Sequence, residues 1–316
     1  MTRDPLAELR ADGKPALARA LAQAETTPEA ETTLALLDAA FADPRAHVVG
    51  LTGPPGVGKS TLASALVKAW RAQGLSVGVI AVDPSSRRTG GALLGDRTRI
   101  EVDPDDAGVF VRSMAARDRL GGLADLCAAA VVLMRAVFDV VLVETVGVGQ
   151  SETEVADLVD TVVLAVQPGS GDSLQYMKAG IVEIPDVAVV TKADLGALAE
   201  RARRDLEVAL SLAGEHQQPG SWAPQVLAVA AATGQGIDTL LDATASHRAW
   251  LAASGTLGTR RAAQSDSWLE RALGQEFGRR GSARARALLT ADPDAADPAT
   301  SPFRRLARIA ARLASE

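Results

Sequence analysis

The chain opens with apolar positions at helical spacing. Leu6, Leu9, Ala16, Leu17, Ala20 and Leu21 recur every three or four residues, and Leu34, Leu36 and Leu37 continue the pattern in a second segment. That period predicts helices over most of 5–42. Thr26, Thr27 and Pro28 read as the break between them, with Pro28 in the first turn of the second helix. From His47 the texture changes. Short β-branched runs stand at 47–52, 77–82, 109–111, 140–143, 161–166, 187–191 and 226–229, and helical patterns at 60–73, 121–136, 174–181 and 195–213 separate most of them. The run Val140-Val141-Leu142-Val143 has no polar position, as expected of a strand covered on both faces. Alternation of this kind predicts an α/β fold: a mostly parallel sheet flanked by helices, with helical extensions at both ends.

Beyond Gly236 the helical period returns through Trp250 and again over 257–289, and 291–302, rich in Asp, Ala and Pro, reads as a linker. A last helix sets Phe303, Leu306, Ala310 and Leu313 on one face and Arg304, Arg305, Arg308 and Arg312 on the other. A short basic amphipathic helix of this type is expected to dock on its own chain or on a dimer mate rather than on a membrane. The expected divisions are a helical extension at 1–45, the α/β domain at 46–255 and a second helical extension at 256–316.

One loop carries explicit chemistry. Gly53-Pro54-Pro55-Gly56-Val57-Gly58-Lys59-Ser60 fits the phosphate-binding P-loop pattern at every position, between an apolar strand and a helix that begins at Thr61. Glycines let the backbone curl so that its N–H groups converge on a phosphate, and the helix N-terminus adds its partial positive charge. Lys59 is placed to reach the β- and γ-phosphates, and Ser60 to ligate Mg²⁺. Pro54 and Pro55 stand where some related ATPases carry an additional lysine, which argues against that class.

Thr191-Lys192-Ala193-Asp194, at the end of an apolar run, resembles the guanine-specificity motif Asn-Lys-x-Asp, with Thr in the first place. A carboxylate at Asp194 accepts two hydrogen bonds from guanine, whereas adenine would leave it unpaired at a cost of ~1–3 kcal/mol. The stem of Lys192 covers the base. Ala230, Ala231 and Ala232, after the next strand, form a second base-side loop whose amides suit the guanine oxygen. Three acids are placed for Mg²⁺, directly or through water: Asp83 and Glu144 at strand ends, and Asp96 in a glycine-rich loop. Gly147 is expected to offer a backbone N–H to the γ-phosphate, and Gln150 is the nearest candidate to position water. With no glutamine directly after Gly147, slow intrinsic hydrolysis completed by a partner is expected.

Composition trims the alternatives. The net charge of -6 argues against a general nucleic-acid binder. Cys127 is the only cysteine, so an internal disulfide and a cysteine-built metal site are excluded. Aromatics are 3%, so the core rests on Ala, Val and Leu, with Trp70, Trp222, Trp250, Trp268 and Cys127 as packing residues and His47 as a structural one. Residues 1–10 mix charges of both signs, and no stretch approaches the ~20 apolar residues of a membrane span, so a cytoplasmic protein is expected.

The runs Asp83-Pro84-Ser85-Ser86, Thr89-Gly90-Gly91-Ala92-Leu93-Leu94-Gly95-Asp96-Arg97-Thr98-Arg99, Glu144-Thr145-Val146-Gly147-Val148-Gly149-Gln150-Ser151-Glu152 and Pro168-Gly169-Ser170-Gly171-Asp172 resemble those of the MeaB/ArgK family of G proteins, from about Leu17 to about Arg261. The resemblance implies a P-loop G domain with helical extensions, commonly homodimeric through the C-terminal part. It implies a GTPase metallochaperone for an adenosylcobalamin-dependent acyl-CoA mutase, usually methylmalonyl-CoA mutase. Asp83, Asp96 and Glu144 inherit metal and switch roles, and Asp172, Gln175 and Lys178 the coupling of nucleotide state to the mutase. The sequence departs from the family at Thr191, usually Asn, at Ala230, usually Ser, and at Gln167, usually apolar. A nickel- or cobalt-inserting GTPase, a small-molecule kinase of the older ArgK label and a signal-recognition GTPase rank below. Each calls for a feature this sequence does not carry: in turn, a His- or Cys-rich metal site, an acceptor domain, and an Asp-Thr-Ala-Gly switch with an RNA-binding module.

Overall fold

The computed structural model describes residues 4–84, 100–116, 123–145, 154–169, 185–213, 220–291 and 297–315. For residues 83, 84, 115, 116, 123–126, 213, 279, 280, 290 and 291 it describes the backbone alone. Strands β1 (His47–Thr52), β2 (Val77–Pro84), β3 (Val109–Ala116), β4 (Val140–Glu144), β5 (Thr161–Val166), β6 (Val187–Val190) and β7 (Gln225–Ala228) form one parallel sheet in the order β3-β2-β4-β1-β5-β6-β7. Helices α1 (Pro5–Thr26), α2 (Glu31–Ala42), α3 (Lys59–Ala72), α4 (Leu123–Val137), α5 (Ala197–Ala213), α6 (Ile237–Ala253), α7 (Thr256–Ala291) and α8 (Pro302–Ser315) surround it.

The layers follow from the two-residue period of the strands. On β5, Val163 and Ala165 join the cluster under Leu62, Leu66, Trp70 and Leu240 of α3 and α6. Val162 points the other way, into the cluster of α1, α2 and α4, and Leu164 and Val166 lie under Leu206 and Leu210 of α5. Both faces of the central strands β4, β1, β5 and β6 are therefore dry, which is why those strands read as apolar runs. The seven expected strands are all present. Pro28 is a correction: it lies in the turn, and α2 begins at Glu31 behind Ala30. The helix expected from 195 begins at Ala197, after a 3₁₀ turn, Ala193–Leu195, and Gly196. The helical pattern at 174–181 lies outside the described residues.

The C-terminal segment is fastened to the sheet at the end where its strands begin. Arg261 of α7 grips Asp160 with two bonds, 2.8 and 2.7 Å, and also donates to Ala46 O at 3.0 Å. Arg260 grips Asp186 with two bonds of 3.0 Å. Those carboxylates in turn accept the Val48 and Val162 amides at 2.9 and 2.8 Å. Between them Thr161 Oγ1 lies 2.6 Å from His47 Nε2 and 2.8 Å from His247 Nδ1, with Trp222 and Trp250 packed around His247. Burial drives the pKa of His47 down to about 3 and that of His247 to about 4, so both rings are neutral. At Asp160 burial works to raise the pKa, yet the Arg261 bonds and charge outweigh it and hold the carboxyl below its usual range.

Helix α8 corrects the expectation of a basic outer face at two of its four arginines; Arg308 and Arg312 are exposed. Arg305 is buried and pairs with Asp266 at 2.8 Å, while Arg304 reaches Asp38 at 2.7 Å and Glu31 at 2.6 Å. Ile309 closes a small core with Leu269, Leu273 and Ala285 of α7. The helix docks on its own chain, one of the two uses expected for it.

Candidate functional site: the P-loop rim of the sheet

The P-loop leaves the carboxyl end of β1, which lies between β4 and β5. Its backbone is one that only glycine accommodates at two key points. Gly53 has φ 140°, and a Cβ there would stand 2.1 Å from Ala165 O. Gly58 precedes α3 in the left-handed region, φ 97°. The turn delivers Lys59 and Ser60 as the first residues of α3, so the positive end of that helix faces the loop. Lys59 is nearly buried, and its ammonium donates to Gly53 O at 2.6 Å and Pro54 O at 3.0 Å, lying across the mouth of the loop.

Ser60 Oγ donates to Glu144 Oε1 at 2.8 Å. Glu144 is the last residue of β4, so the parallel pairing with β1 brings it to the P-loop although it is far away in sequence. The next residue, Thr145, is buried and anchored twice to β1, by its N–H to Leu51 O at 3.1 Å and by its hydroxyl to Thr52 Oγ1 at 2.9 Å. Two hard oxygen donors side by side at the P-loop are of the kind that would hold Mg²⁺. Asp83 is the last residue but one of β2, one strand beyond β4, with its backbone alone described. Asp96, Gly147, Gln150, Asp172, Gln175 and Lys178 lie outside the described residues.

The base motif sits at the end of β6. Thr191 Oγ1 lies 2.8 Å from Val57 O of the P-loop and 3.0 Å from Val166 O of β5, so one buried hydroxyl ties the base strand to the phosphate loop. Lys192 has φ 55° and is the only non-glycine residue with positive φ among the described residues. Its ammonium donates to Gln167 Oε1 at 2.6 Å. Asp194 follows in the 3₁₀ turn and is exposed. The second base-side loop is in place after β7, where Ala193 N–H bonds Val229 O at 3.1 Å. The Ala230 amide, expected to serve a base, is taken by Gln235 O at 3.0 Å.

The fold thus collects Gly53–Ser60, Glu144, Thr191–Asp194 and Ala230–Ala232 at one rim of the sheet. The expectation did not include Thr52, Thr145 or the contact of Gln167 with Lys192. Only the polar side chain of Gln167, directly after the apolar run of β5, signalled something there.

The model of the family described as methylmalonyl Co-A mutase-associated GTPase MeaB matches residues 17–285. A protein named as a GTPase from Pyrococcus horikoshii is 48% identical over 217 residues, 68% of each chain. The mouse methylmalonic aciduria type A homolog, mitochondrial, is 39% identical over 222 residues, 70% of this chain and 54% of that one. A solved structure titled LAO/AO transport system kinase superposes with a TM-score of 0.69 at 30% identity, covering 98% of this chain and 96% of that one.

Proposed function

The chain belongs to the MeaB family of GTPases, and from that premise we propose that it is a GTP-hydrolysing chaperone for an adenosylcobalamin-dependent acyl-CoA mutase, with methylmalonyl-CoA mutase as the first candidate. In this role it gates cofactor loading and guards the mutase against inactivation. The observation that carries the nucleotide half is the rim itself: a complete phosphate loop tied by Thr191 to a base strand that ends in Lys192 and Asp194. The mutase half rests on the family's description and on the mouse relative's name.

Each residue then has a task. The P-loop amides and the α3 N-terminus hold the β-phosphate, and Lys59 exchanges its hold on Gly53 O and Pro54 O for phosphate oxygens. Ser60 and Glu144 hold Mg²⁺, directly or through water, with Asp83 and Asp96 completing the shell; the ion would neutralise charge on the β- and γ-phosphates. Asp194 accepts from the guanine edge, Lys192 covers the plane, and Thr61, Ala231 and Ala232 border the nucleotide. Gly147 senses the γ-phosphate, and Gln150 positions the attacking water. Asp172, Gln175 and Lys178 pass the nucleotide state to the mutase. The active form is a homodimer through the 256–316 extension.

The kinase named in the solved relative's title makes a sharp alternative, since a kinase requires a phosphate acceptor. The test is GTP turnover as the candidate mutase is titrated in. Turnover rising several-fold as the complex forms supports the chaperone reading. A flat rate across a titration that forms the complex, or turnover that requires a small-molecule acceptor, refutes it.

A further inference from the structure

We infer that Gln167 is a positioning residue for the base: it fixes the Lys192 side chain so that its aliphatic stem lies as a preformed cover over the purine plane. This rests on the guanine reading above and deepens it. The parallel pairing of β5 with β6, Val166 opposite Val190, brings the residue just past β5 beside the residues just past β6. Three bonds knit that corner: Thr191 N–H to Val166 O at 2.8 Å, Thr191 Oγ1 to Val166 O at 3.0 Å, and Lys192 Nζ to Gln167 Oε1 at 2.6 Å.

Lys192 is an exposed lysine in a backbone conformation that disfavours every residue but glycine and, less so, asparagine or aspartate. Such strain persists where the surroundings fix it, and it aims the side chain. An unrestrained lysine would sample many rotamers and lose that entropy on each binding event. Half-buried Gln167, followed by Pro168, removes most of that freedom beforehand. The cover is a plane-on-stem contact and indifferent to the base edge, which Asp194 reads. Gln167 therefore sets how long a purine nucleotide stays, and Asp194 sets which one.

The test is the dissociation rate of ribose-labelled fluorescent GDP from the full chain. Gln167→Ala is expected to speed release about three- to tenfold, the size of one hydrogen bond. Gln167→Glu restores slow release, because a carboxylate holds the ammonium at least as well. The ratio of GDP to xanthosine diphosphate affinity stays unchanged in both variants. In a Lys192→Met background, which keeps an unbranched apolar stem and lacks the ammonium, Gln167→Ala has no further effect. Unchanged release in Gln167→Ala, an equal effect in the Lys192→Met background, or a shifted base preference overturns the inference while leaving the guanine reading intact. A wild-type chain that binds neither GDP nor GTP overturns both.

Discussion

At the scale of single residues, the site is decided by a few positions where chemistry leaves no substitute. Gly53 is one. A methyl group at its Cβ would meet a backbone carbonyl oxygen of β5 at 2.1 Å, and a carbonyl inside a central strand has no room to yield. Gly53→Ala is expected to distort the loop, lower stability by about 2–4 kcal/mol and abolish GDP binding; circular-dichroism melts and equilibrium binding check both parts. Asp194 is another, because its carboxylate faces solvent where a base edge would meet it. Asp194→Asn should lose at least tenfold in GDP affinity and gain for xanthosine diphosphate, whose edge offers an acceptor where guanine has a donor. Competition binding against both nucleotides measures this, and an unchanged preference would move base recognition elsewhere. Thr191 shows how a departure from the usual Asn is accommodated: its hydroxyl alone reaches both Val57 O and Val166 O.

Elements carry the next level. Strands β1, β5 and β6 deliver the P-loop, Gln167 and the base motif at one end, and at the other they start in the buried cluster of His47, Thr161, His247, Asp160 and Asp186. Arg260 and Arg261 make that cluster a seat for α7. The cluster has a pH signature. Both histidines have folded-state pKa values, about 3 and about 4, below the unfolded value near 6.5. Between those limits the unfolded chain takes up protons that the folded chain refuses, so stability falls as pH falls from about 6.5 towards 4. The slope approaches ~1.4 kcal/mol per pH unit for each histidine. Asp160, held low by Arg261, adds a loss in the same direction only at more acid pH, below its ordinary value. Urea unfolding at pH 7, 6 and 5 should show the decline, and His247→Gln should reduce its slope by about half, leaving the share of His47. A flat profile in the parent chain would contradict the buried neutral pair.

For the whole molecule, the extensions are part of the fold. Helix α8 reaches back to α2 through Arg304 and to α7 through Arg305 and Ile309. Ile309→Ala removes a side chain that is 1% exposed and is expected to cost about 2–4 kcal/mol in chemical denaturation, with the base preference unaltered. A loss under about 0.5 kcal/mol would mean that α8 is not seated as described. The sequence determined the α/β class, all seven strands, the P-loop and the base motif, because each rests on local pattern: period, glycine placement and short motifs. It also carried the family, through runs in the loops. Only the tertiary structure decided that Glu144 meets Ser60, that Gln167 meets Lys192, that Arg304 and Arg305 of α8 turn inward and that α7 is fastened beneath the strands. Those pairings join residues from 4 Å or less apart in space and up to hundreds apart in the chain, for example Arg304 with Glu31. Register and packing, which no local pattern encodes, are what bring them together.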